Sequence, residues 1–158
     1  MANQTNCDIV YIVNHRKECC MKRNIIIITN DEQVKSMEYE DFHTIQKAVS
    51  GNFDIYDHDR IFRKANGEII LLLFHCNDEA LLIDSEEMNK INAAAYLLNN
   101  EAVIYGNIAV LIDIGEGESI GFTPEETEEI VSAVKKILNG NTVNCKLIHA
   151  QFDGNKRR

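Results

Sequence analysis

Proline occurs once in this chain, at Pro124, and no apolar run approaches the roughly 20 residues that span a bilayer. The scarcity of proline argues against a long disordered stretch. The missing apolar run argues against a transmembrane helix. The N-terminus lacks the basic start and apolar centre of a signal peptide, so the expected location is cytoplasmic. Cations are scarce too: Lys and Arg number 16 against 25 Asp and Glu, giving a net charge of −9 and a pI near 5.0. General affinity for DNA or RNA needs Lys and Arg to displace counterions from phosphates, so no direct nucleic-acid binding is expected. A protein that imitates nucleic acid and binds basic partners stays compatible with this balance. The five cysteines (Cys7, Cys19, Cys20, Cys76 and Cys145) are odd in number and irregularly spaced, and no C-x-x-C occurs. A disulfide framework is therefore not expected, and neither is a tetrahedral zinc site at Cys7, His15, Cys19 and Cys20. The sequence implies no metal and no cofactor.

What is present suits one domain with a real core: 158 residues, 45% of them apolar. Residues 1–20 differ in character from the rest of the chain. Met21 opens "MKRNIIIITND" in the manner of a protein start, so residues 1–20 are expected to be a non-native or loosely attached extension, residues 21–150 a single domain, and residues 151–158 a flexible basic tail. Ile25 to Thr29 is a β-branched run and reads as a buried strand. Asp41 as N-cap, the apolar face of Phe42, Ile45 and Val49, and Gly51 beyond the end predict a helix over about 42–50. "NFDIYDH" alternates, with Phe53 and Ile55 expected inward. Asn66-Gly67 signals a hairpin whose arms run from Arg60 to Ala65 and from Glu68 to Cys76. The second arm is apolar without alternation, as in a central strand covered on both faces.

Further on, Asn92 to Leu98 reads as a short helix whose alanines, Ala93 to Ala95, allow close packing. Glu101 to Tyr105 and Asn107 to Ile112 read as strand interrupted by Gly106. "GEGESIG" reads as a loop: its glycines at 115, 117 and 121 miss the dinucleotide spacing, and Glu116 and Glu118 repel phosphate. Thr123-Pro124-Glu125-Glu126 forms a capping box with proline at the first helical position, and Ile130, Val131, Val134, Ile137 and Leu138 make one stripe, predicting a helix over 124–138. Thr142 to His149 reads as a last strand. The fold class is α+β: a mixed, mainly antiparallel sheet with these two main helices packed on it.

No catalytic residue is assigned. Asp57-His58-Asp59 would put two carboxylates on one face of a strand and the imidazole on the other, and is read as a polar strand end. His75 and Cys76 are neighbours on a strand, so base and thiol do not meet. A different feature draws attention. From Ile91 to Val134 there is no Lys or Arg, while acids crowd the second half of that stretch. Part of the surplus serves a helix N-terminus; the rest marks a candidate acidic binding face of Glu116, Glu118, Glu125, Glu126 and Glu129. A candidate pocket is placed at Asn77, Asn92, Tyr96, Tyr105 and Asn107, which exchange hydrogen bonds without desolvating a charge.

Five segments, "QKAVSGNFDIYD" from Gln46, "LLLFHCNDEALLID" from Leu71, "NKINAAAYLL" from Asn89, "EAVIYGNIAVLI" from Glu101 and "GFTPEETEEI" from Gly121, resemble an uncharacterised domain family. It is a domain of unknown function in small proteins of phages, plasmids and other mobile elements, mostly of Gram-positive bacteria. The likeness covers about residues 44–135 and departs at Ala93, where the family tends to carry arginine. The resemblance implies a mobile-element setting and no activity. The expected function is therefore that of a non-enzymatic acidic binding protein, a counter-defence or host-takeover inhibitor whose partner is a host protein with a basic surface. The alternative is a sponge or sensor for a small, nucleotide-like ligand. No membrane partner is expected, and a homo-oligomer stays open.

Overall fold

Four isoleucines in a row, Ile25 to Ile28, force a choice that helps fix the architecture, because alternate side chains of a strand point to opposite faces and all four are apolar. Both faces must then be covered. In the computed structural model, which describes residues 21–82, 85–86, 88–92 and 103–139 (the side chains of residues 56–60 excepted), both are. Strand β1 (Asn24–Ile28) sits inside a sheet ordered β2-β1-β5-β4-β3, and β6 pairs with β5. The partners are β2 (Val34–Glu38), β3 (Phe53–Arg63), β4 (Ile69–Asn77), β5 (Ile108–Gly115) and β6 (Glu118–Ile120). Every pairing among these strands is antiparallel. Helices α1 (Phe42–Val49) and α2 (Pro124–Leu138) complete an α+β fold.

The two helices lie on opposite faces. Ile26 and Ile28 of β1, Leu72 and Phe74 of β4, and Ile108 and Val110 of β5 join Ile130, Val134 and Ile137 of α2 in one core. Ile25 and Ile27, with Ala109 and Leu111, join Ile45, Ala48 and Val49 of α1 in a second. Both helices begin as the sequence predicts. Asp41 accepts from the His43 N–H, and Thr44 completes its capping box. Thr123 accepts from the Glu126 N–H, and Glu126 returns the bond.

Several expectations need correction. Strand β2 is absent from the sequence reading, because only Val34 of "VKSME" is buried. The alternating stretch at Phe53 and the first hairpin arm form one long edge strand, β3, with register shifts between Ile55 and Arg60. Ile55 is exposed, not inward. The second arm is covered on both faces only in its latter part, since Ile69 and Leu71 are exposed. The cause is the length of α1: eight residues span about 12 Å and leave that part of its face open. Val103 and Ile104 precede β5 without joining a strand. Gly106, at φ 76°, turns the chain there. "GEGESIG" is a hairpin rather than a plain loop: Gly115, Glu116 and Gly117 are all left-handed, and β6 comes directly after them. Asn92 is not helical. The extension 1–20, the rest of the predicted helix with Tyr96, Glu101, the last strand and the basic tail lie outside the described residues. No helix among the described residues is long and apolar enough to cross a membrane.

Candidate functional site

The antiparallel register sorts the singled-out residues to two ends of the sheet. One end gathers the close of β1 and β4 and the start of β5; asparagines fill it. The other gathers the β3–β4 and β5–β6 turns with the start of α2; acids fill it.

At the first end, three of the candidate pocket residues use their amides on the main chain. Asn92 is fully buried, and its Nδ2 donates to the Ile28 carbonyl at 2.8 Å and to Gly106 at 3.0 Å. Asn77 Nδ2 donates to the Val49 and Ser50 carbonyls at 3.1 and 3.3 Å, closing the C-terminus of α1, and its Oδ1 accepts from the Glu79 N–H at 2.9 Å. Asn107 spans two elements, donating to Ala48 at 3.3 Å and accepting from the Asn30 N–H at 3.2 Å. These bonds satisfy carbonyls that a helix end and strand ends leave without partners. Tyr105 is half-buried and forms an isolated bridge with Ile91. The asparagines are thus staples holding the end of the sheet to α1 and to the 88–92 turn.

His75 and Cys76 lie beside them and diverge, as the strand period requires. His75 is buried on the α1 side, where its Nδ1 meets the Ala109 carbonyl at 3.2 Å and its ring stands edge-on to Phe53. Burial pushes the imidazole below its ordinary value, against the pull of that carbonyl. Cys76 packs against the α2-side core, and burial, then Asp54 and Asp78, push its thiol up, so it is a poor nucleophile. Among the described residues no group of three or more His, Cys, Asp or Glu gathers to hold a metal ion.

At the other end the five candidate acids divide. Glu126 serves the cap, accepting from the Thr123 N–H at 2.9 Å, and its second oxygen lies 3.5 Å from Lys64 Nζ. Glu129 accepts from the Ala65 N–H at 2.6 Å. Both therefore dock the β3–β4 turn onto α2. Lys64 is also 2.7 Å from Glu68, and that contact, followed by Glu126, raises its pKa. Glu116, Glu118 and Glu125 are exposed, and no cation of the described residues pairs with them.

No protein-family model, no curated protein and no solved structure matches this chain. Its chemistry has to be read from its own side chains. Sequence reasoning missed Lys64 and Ala65, which decide that Glu126 and Glu129 point inward. The signal available was slight: a lysine and a glutamate flanking Asn66-Gly67, close enough to pair across a hairpin.

Proposed function

We propose that this chain acts by binding, and that its contact surface is the acidic end formed by Glu116, Glu118 and Glu125, which meets a basic surface on a host protein. The observation that carries the reading is the division of the acids. Glu126 and Glu129 are occupied by the fold, whereas the other three stand exposed without a cation from the described residues. Two of the three sit on the β5–β6 hairpin, whose tip holds Glu116 at φ 55° between two glycines. A short β-turn of this kind presents its carboxylates on a stiff support and loses little entropy on association. The resemblance to a mobile-element family, which by itself implies no activity, is what suggests a counter-defence or host-takeover role for such a binder. The small-ligand reading has less support, since the amides of Asn77, Asn92 and Asn107 already serve main-chain carbonyls.

The test is association measured against ionic strength, with Glu116, Glu118 and Glu125 replaced by lysine. Glu126 and Glu129 are the wrong positions to reverse, because their loss undocks a hairpin and confuses folding with binding. Association that is weakened by salt and by the triple replacement supports the reading. Indifference to both removes it.

A further inference from the structure

We propose that Asn66, at the tip of the β3–β4 turn, is a self-modification site that converts to aspartate and isoaspartate through a succinimide. The turn is closed by the Lys64 N–H donating to Glu68 at 2.8 Å and the Gly67 N–H donating to Lys64 at 3.0 Å, with Gly67 left-handed at φ 89°. Asn66 and Gly67 are both exposed. Asn66 Oδ1 accepts from the Glu68 N–H at 2.9 Å. That bond does two things. It draws electrons from Cγ, making it a better electrophile, and it closes an Asx-type turn around the Gly67 peptide. Glycine adds no Cβ to obstruct the approach, and the space where one would stand is open.

The balance is simple. The Gly67 amide loses its proton to base, and its nitrogen attacks Asn66 Cγ. The new Cγ–N bond forms as Cγ–Nδ2 breaks, and Nδ2 departs as ammonia after taking a proton from water. One water then opens the ring. Attack at Cγ leaves aspartate; attack at the main-chain carbonyl carbon leaves isoaspartate. No electrons are transferred. The hydrogen bond from Gly67 to Lys64 opposes the first step, so the reaction proceeds when the turn opens briefly at its exposed tip. Of the other described asparagines, only Asn139 is also exposed and followed by glycine, but it caps the end of α2 and no described N–H closes on its side chain. Asn92 is buried with both amide protons engaged, and Asn77 and Asn107 are tied to α1.

The product matters to the fold. Isoaspartate adds a methylene to the main chain between residues 66 and 67, inside the loops that the two main-chain bonds of the turn close. A new carboxylate also arrives beside Glu68, close to where Glu126 and Glu129 hold the turn to α2.

The experiment is storage of the folded, full-length protein in mildly alkaline buffer, with peptide mapping and fragmentation that separates the two acids. The expected result is conversion at Asn66 at least about tenfold faster than at Asn30, Asn77, Asn92 or Asn107 in the same sample, with isoaspartate among the products; a tenfold rate ratio is about 1.4 kcal/mol of barrier. Gly67→Ala should slow it by a similar factor. Conversion at Asn66 no faster than at those asparagines overturns the proposal, and so does an unchanged rate in Gly67→Ala. Should that variant fail to fold at φ 89°, the comparison among the parent's own asparagines decides alone.

Discussion

Asn92 bridges two main-chain carbonyls from a fully buried position, and leucine in its place keeps the volume while removing both donors. Leaving such carbonyls buried and unpaired costs about 1–3 kcal/mol each. Asn92→Leu should therefore lower the stability by about 2 kcal/mol or more, seen as a lower denaturation midpoint at unchanged slope. An unshifted midpoint would mean that water reaches these carbonyls. His75 gives a prediction in pH. Its burial depresses the folded-state pKa below the ordinary 6.5, so the unfolded chain binds the proton more readily. The stabilisation is fully present above 6.5 and is lost as pH falls through the folded value. His75→Asn keeps a donor where Nδ1 stands and cannot take up the proton. Its stability should fall less steeply than the parent's from pH 6.5 downward, measured by denaturation at several pH values. Parallel curves would show that His75 does not titrate with unfolding.

Between elements, the contacts that matter join segments far apart in the chain. Gly121 passes so near β1 that an added Cβ would stand 2.9 Å from Arg23 Cβ and 3.0 Å from the Asn24 carbonyl. It lies beside the Asn24–Phe122 bridge, whose two hydrogen bonds are both 2.8 Å. Gly121→Ala should cost about 1–3 kcal/mol, the usual range for overpacking, and a neutral melting curve would show that the two segments can part. Glu129→Ala should cost about 1 kcal/mol by releasing the Ala65 N–H, whereas Glu116→Ala should stay within about 0.5 kcal/mol. Equal effects of the two would erase the distinction between docking acids and presented acids. This is also the scale at which the sequence is most and least readable. Both helices are legible from Asp41 and Thr123 because a cap is a local signal. The β3–β4 turn is legible from Asn66-Gly67. β2 and β6 are not, being short strands with little buried surface. The inward roles of Glu126 and Glu129 are not legible either, since Glu129 meets an N–H that is 64 positions away. The pocket asparagines illustrate the same limit: an amide suited to a ligand is equally suited to a carbonyl of its own chain, and only the tertiary neighbours decide.

For the molecule as a whole, three layers leave one end of the sheet rich in carboxylates and the other closed by amides. On the proposed reading, a net charge of −9 would favour the approach of a cationic surface from beyond contact range. The direct measurement is the recovery of partners by the immobilised protein from a bacterial lysate, at about 50 mM and about 500 mM salt, concentrations on either side of the 0.1 M at which the Debye length is about 10 Å. Parent protein is compared with the form carrying lysine at positions 116, 118 and 125. The account predicts a specific basic protein retained by the parent at low salt, released at high salt and not retained by the lysine form. A partner held equally under all four conditions would contradict it.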